Sequence, residues 1–86
     1  MKSDIAKSFG KTLQVLRVGA GLSQLELSEK AGCDRIYYSL MERGLVDPAF
    51  LFFAPVAHVL NVEPFHLWKM ALRRAKVLAE EISETP

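Results

Sequence analysis

Cys33, His58 and His66 are the chain's whole supply of thiol and imidazole, and their spacing matches no zinc-binding pattern. A lone cysteine closes no disulfide within the chain and fits a reducing compartment. Hydrolysis needs a nucleophile, a base and an orienting group, or else a metal. Two histidines on helical surfaces, with no clustered acids in a cleft, supply neither set, so no enzymatic activity is expected. The spacing that carries chemical meaning is of another kind. Ser23 and Glu26 form a capping box, in which the Ser23 side chain accepts from the Glu26 backbone and the Glu26 carboxylate reaches back to the Ser23 amide. Asp34 is a second good N-cap, and Gly32 stands between the two caps where a tight turn needs φ > 0.

The elements that hold these caps are helical. Gly-bearing and Pro-bearing breaks divide the chain, and between them apolar residues recur at three and four positions rather than two, which makes the class all-α. A first helix is expected from about Ser3 to Val18, with Ser3 as N-cap, Ile5, Phe9, Leu13 and Leu16 on one face, and Gly19 and Gly21 ending it. The second runs from Ser23 to Gly32 and the third from Asp34 to Gly44. Asp47 and Pro48 read as N-cap and first-turn Pro of a fourth segment, in which Phe50, Phe53, Ala57 and Leu60 supply the core side. Pro55 should kink or restart that segment, because an interior Pro loses a hydrogen bond and clashes with the preceding turn. Asn61 closes it. Residues 63 to about 83 form the longest run, an extended C-terminal helix with Leu67, Ala71 and Leu78 toward the core and Thr85-Pro86 fraying beyond it.

At 86 residues and 9.6 kDa this is one small domain, residues 1–86. Half the residues are hydrophobic, and a chain this short buries only about 60% of its unfolded surface, so an apolar interface is expected. The formal charge of +1 excludes a histone-like, purely electrostatic nucleic-acid binder. The N-terminal stretch lacks an apolar core, and no segment reaches membrane-spanning length, so the expected location is cytoplasmic with no membrane partner.

Two short helices joined by Ala31-Gly32-Cys33-Asp34 have the layout of a helix-turn-helix, residues 23–43. From Phe9 to Trp68 the chain resembles the lambda-repressor/Cro-like (XRE-type) helix-turn-helix family: FGKTLQVLRVGAGLSQLELSEKAGCDRIYYSLMERGLVDPAF, then a helix ending LNVEPFHL. The residues that carry the resemblance are Leu13, Arg17, Ser23, Gln24, Leu27, Ala31, Gly32, Ser39, Glu42, Arg43, Gly44 and Pro48. The run Asp34-Arg35-Ile36-Tyr37 with Ser39 is also similar to restriction-modification controller proteins.

The resemblance implies a five-helix, lambda-repressor-like DNA-binding domain acting on double-stranded DNA as a transcriptional regulator. Its third helix would enter the major groove with Arg35, Ile36, Tyr37 and Leu40 toward the bases and Tyr38 and Met41 inward. Arg35 can donate twice to guanine O6 and N7, Tyr37 can reach a base or phosphate, and Ile36 can meet a thymine methyl. Gln24, Ser23 and Arg43 would hold phosphates, the first two at the amide-rich start of the second helix. Arg17 and Glu42 are charged positions of the family and would form a structural ion pair. Cys33 should pack as a small hydrophobe, and Tyr38 as a core ring with one hydrogen bond. No cofactor, metal or small-molecule ligand is implied.

Departures from the family point outward. Leu45-Val46-Asp47 stands where relatives carry basic or small polar residues, and Leu40 replaces a polar reading position. Leu51, Phe52, Pro55 and Val59 form an apolar stripe the family leaves polar, while Phe65, Trp68, Leu72, Ala75, Ala79 and Ile82 repeat at the spacing of a helix–helix seam. Together they predict a homodimer, built on the fourth segment and the 63–83 helix and bound to a palindromic operator. The alternative is a protein-interaction adaptor that keeps the scaffold without specific DNA binding.

Overall fold

The computed structural model describes residues 4–83, with side chains to residue 76. It contains five helices: α1 (Asp4–Gly19), α2 (Gln24–Ala31), α3 (Arg35–Glu42), α4 (Phe50–Val59) and α5 (Pro64–Ser83). No single described helix is long and apolar enough to cross a membrane. Ser3, Leu78 and Thr85-Pro86 lie outside the residues whose side chains are described, as do Ala79 and Ile82 of the expected seam.

The short helices are held by their ends. Ser23 accepts from the Glu26 amide at 3.0 Å and donates its own N–H to the Glu26 carboxylate at 2.9 Å, so both halves of the capping box form. Gly32 stops α2 in the left-handed conformation, φ 70° and ψ 27°, and Cys33 N–H then bonds back to the Ser28 carbonyl at 3.0 Å. Two residues later the Asp34 carboxylate accepts from the Tyr37 amide at 2.9 Å and starts α3. Only a residue without a Cβ turns the chain so tightly at low cost, which makes Gly32 the joint between the two helices.

The α4 expectations need three corrections. Asp47 and Pro48 do not cap it; the chain stays extended through Ala49, at φ −114° and ψ 131°, and the helix starts at Phe50 without a side-chain cap. Pro55 does not restart the helix, which is continuous from Phe50 to Val59. The bond lost there is to the Leu51 carbonyl, one turn back on the solvent side, where the burial penalty for an unpaired acceptor is smallest. Phe50 also faces outward, and Val56 takes the core position with Phe53 and Ala57. Asn61, at φ 59°, closes α4 as expected, with Val62 N–H bonding back to the Ala57 carbonyl at 2.9 Å, and Pro64 opens α5 with the Glu63 carboxylate accepting from the His66 amide at 3.0 Å.

The core gathers Phe9 and Leu13 of α1, Leu27 of α2, Tyr38 and Met41 of α3, Phe53, Val56 and Ala57 of α4, and Leu67 and Ala71 of α5. Phe53 meets Phe9 edge-on at 4.8 Å and stacks on Trp68 at 6.1 Å, so one ring ties α1, α4 and α5 together. The buried Ser8 hydroxyl donates to the Ala71 carbonyl across the α1–α5 contact. Where α1 crosses the end of α3, Gly10 lies against the Met41 and Glu42 carbonyls so closely that a Cβ would overlap both oxygens.

Candidate nucleic-acid interface

Three core residues, Tyr38, Met41 and Glu42, pin α3 by its inner side. The outer side carries Arg35, Ile36 (67% exposed) and Arg43, with Ser39 and Leu40 half-exposed between them. This face therefore presents two guanidiniums, a hydroxyl and two aliphatic side chains on a helix whose start is fixed by Asp34. Ser39 belongs to the surface although its chemistry was not singled out in the sequence; its spacing of four from both Arg35 and Arg43 is the signal. Tyr37 is set apart from these residues. It is half-buried on the flank of α3, and its ring meets Phe52 of α4 with centroids 4.8 Å apart and planes inclined by 44°.

Beside this face lies the start of α2. The amides of Gln24 and Leu25, in its first turn, have no intrahelical acceptor by helix geometry, and such groups favour an anion. Ser23 already uses its oxygen in the cap, and its hydroxyl hydrogen faces the Glu26 carboxylate. Glu26 puts a carboxylate at the same end; hydrogen bonds from the Ser23 backbone and side chain hold it below the usual carboxylate range. That charge opposes a phosphate. The Gln24 side chain is half-buried and donates to Glu42 Oε1 at 3.2 Å, so one of its two amide hydrogens is spent within the domain.

Glu42 is the hub behind the surface. Its side chain is 3% exposed, and its two oxygens receive Arg17 Nη2 at 2.8 Å and Arg17 Nε at 2.9 Å, a bidentate fork from α1 to α3. Arg17 Nη1 also donates to the Leu22 carbonyl at 2.8 Å, which ties the loop before α2 to the same guanidinium. Burial by itself would raise the Glu42 carboxyl, but the Arg17 guanidinium, the neighbouring Tyr38 hydroxyl and the Gln24 amide outweigh it and hold it below its ordinary range. Tyr38 corrects an expectation: its hydroxyl is buried without a hydrogen-bond partner. The ring is fixed by the core, which leaves the hydroxyl beside the Glu42 carboxylate and the Arg17 guanidinium without a well-formed hydrogen bond to either. Burial first, then the adjoining Glu42 carboxylate through its contact with the hydroxyl and its charge, pushes the phenol well above its ordinary value.

Cys33 is half-buried against the core, and burial pushes its thiol up, away from the reactive thiolate. Among the described residues no group of three metal-ligating side chains comes together. On the far side of α3 the apolar surface is extensive. Leu51 is 84% exposed, Phe52 is 49% exposed and Pro55 is exposed, whereas Val59 is partly packed on the core. On α5, Phe65 and Leu72 are exposed, while Trp68 and Ala75 are half-buried, Trp68 through its stack on Phe53. Phe50 lies against Phe65 with centroids 5.7 Å apart, and with Pro48, Phe53 and Trp68 they line an open aromatic cleft.

Solved structures of other proteins share the fold. The restriction-modification controller protein C.AhdI from Aeromonas hydrophila is 35% identical, with a TM-score of 0.68 over 72% of this chain and 94% of that one. The hypothetical transcription factor NHTF from Neisseria is 30% identical, with a TM-score of 0.69 over 74% of each chain. The clp gene regulator ClgR from Corynebacterium glutamicum shares the fold over more of the length, with a TM-score of 0.83 over 92% of this chain and 84% of that one, at 23% identity. Among curated protein sequences none matches. The helix-turn-helix family profile matches residues 13–67, from the buried Leu13 of α1 to the buried Leu67 of α5, and so takes in the capped α2–α3 pair and the Glu42 hub. On that match and the C.AhdI likeness, the chain belongs to the helix-turn-helix family, in its lambda-repressor/Cro-like branch.

Proposed function

We propose that the protein is a DNA-binding transcriptional regulator that acts as a homodimer on a two-fold operator, reading each half-site with α3. The observation that carries this reading is the exposed face of α3: Arg35, Ile36, Ser39, Leu40 and Arg43 stand on a helix whose start is capped and whose inner side is locked by Tyr38, Met41 and Glu42. A rigid helix with paired guanidiniums and aliphatic side chains suits a major groove, where Arg reads guanine and apolar groups read thymine methyls. Arg35 and Tyr37 take the bases in this reading, with Ile36 and Leu40 on methyl groups. Gln24, Ser23 and Arg43 take phosphates. The regulators among the similar structures support the same role, and C.AhdI, a restriction-modification controller, supports a controller-like one.

In a two-fold dimer the paired α3 helices enter successive major grooves, so half-site centres lie roughly 34 Å, or about 10 base pairs, apart. Fluorescence anisotropy with a duplex selected from a random pool tests the assignment. Arg35→Ala should lose ~1–3 kcal/mol of discrimination at one base pair per half-site while remaining folded, because Arg35 is exposed and holds nothing in the core. An unchanged sequence preference would remove α3 as the reading element.

A second reading has its own observation. Net charge is only +1, and Leu45, just past α3, is exposed where a phosphate-holding residue would help. An adaptor that keeps the scaffold for protein contacts would show no DNA association at low salt, whereas a DNA binder associates with steep salt dependence.

A further inference from the structure

Phe52 touches two surfaces with different assignments. One side of its ring lies on Tyr37, 4.8 Å between centroids, and the residue is still 49% exposed toward the stripe that Leu51 and Pro55 continue. Tyr37, Phe52, Leu51 and Pro55 line one cleft together with the Ala31–Asp34 turn. Tyr37 itself stands on the flank of α3, away from the core side that locks Tyr38 and Met41. A tyrosine in that place has more than one staggered χ1 state, and each state moves the phenol oxygen by several ångströms, on the order of a base-pair step. A ring packed against it selects one state.

We propose, on the basis of the DNA-reading dimer above, that Phe52 is a positioning residue for sequence recognition. It holds the Tyr37 ring in a single orientation, so the base pair addressed by Tyr37 is chosen partly from α4. Dimerisation through the Leu51–Phe52–Pro55 stripe closes the exposed side of Phe52 and removes its own freedom to swing. Assembly and reading thus share one side chain, and base preference at the Tyr37 position depends on a residue that does not touch DNA.

The experiment compares Phe52→Ala, Phe52→Tyr, Tyr37→Phe and Leu51→Ala with the wild type. Each is checked by thermal melting for folding and by sedimentation for dimerisation, at the concentration used for binding. Binding is measured by anisotropy on a wild-type-selected duplex and on a set with each base pair of the half-site replaced in turn. Tyr37→Phe identifies the base pair that Tyr37 addresses. Dimeric Phe52→Ala should lose about 5-fold of preference at that same pair and little elsewhere, the scale of one hydrogen-bonded base contact. Phe52→Tyr keeps a ring and keeps the preference. Leu51→Ala, which trims the most exposed residue of the stripe, should weaken dimerisation and, by leaving Phe52 less enclosed, lower the preference at the Tyr37 base pair while the other pairs keep theirs. If Phe52→Ala does not dimerise, Phe52→Leu retains apolar bulk without a ring and carries the comparison. A dimeric ringless variant with the wild-type profile overturns the positioning role and leaves the dimer standing. A wild-type protein that sediments as a monomer, or binds no DNA, overturns both.

Discussion

Glu42 holds three elements with two oxygens: Arg17 from α1 forks onto both, Gln24 from α2 shares one, and the residue itself ends α3. Removing it strands a guanidinium that is only 14% exposed, so Glu42→Ala should cost about 3 kcal/mol in urea unfolding at neutral pH. A loss under ~0.5 kcal/mol would mean that the pair behaves as a solvated one. The pH dependence has a definite sign. The folded carboxyl lies below its ordinary value of about 4.3, so its stabilisation is complete above that value and is lost as pH falls through the folded one. Wild-type stability should therefore begin to drop as pH falls to the ordinary carboxyl value and go on dropping through the lower, folded one. Glu42→Gln, already weaker at neutral pH, should show a shallower slope there. The sequence holds charges at positions 17 and 42, but only the family resemblance links residues so far apart. Gln24's share in the carboxylate depends on how α2 docks against α3, and no local pattern encodes that. The same holds for Tyr38: its inward place follows from the phase of α3, whereas its unpartnered hydroxyl follows from how the core fixes the ring relative to Glu42.

Among the helices, the ones with polar punctuation were legible. Ser23, Glu26, Gly32 and Asp34 each do one job through their own backbone hydrogen bonds, so the boundaries of α2 and α3 can be read from residue types alone. α4 could not be read this way. Residues 50–57 are apolar throughout, so no polar face fixes the phase, and Phe50, expected in the core, faces outward while Val56 is buried. Asp47-Pro48 has the composition of a helix start, but the extended Ala49 after it delays the first turn. Gly10 is a second feature outside local pattern, because its need for hydrogen in place of a side chain comes from α3 crossing over it. Gly10→Ala should destabilise by about 2 kcal/mol despite the better helix propensity of Ala, since backbone oxygens cannot move aside as a flexible side chain would. Gly19→Ala, in the same helix with nothing near its missing Cβ, should instead stabilise by up to ~1 kcal/mol. Thermal melts of the two variants that shift in the same direction would refute the crossing as the reason for Gly10.

For the molecule as a whole, the balance of surface and core decides its state. Leu51, Phe52, Phe50, Phe65 and Leu72 are exposed large apolar side chains on α4 and α5, more than scattered surface residues explain, and Phe50 and Phe65 adjoin one another. Covering them in a two-fold interface of on the order of 800 Å² per subunit would hide most of that surface. Sedimentation at tens of micromolar should then return twice 9.6 kDa, and a single-chain mass would leave the apolar faces to another partner. The continuous passage of α4 through Pro55 sets a chemical condition on any such cover. Because the proline has no N–H, the Leu51 carbonyl lacks its helical donor in the middle of an oily strip. In the free chain, solvent can meet that oxygen. A partner surface laid over it must bring a donor of its own or seal in a water molecule, since a bare acceptor under an apolar lid would cost ~1–3 kcal/mol. A greasy surface that would otherwise adhere to any other thus carries a polar lock at its centre, and only a partner with the matching hydrogen can close over it without loss.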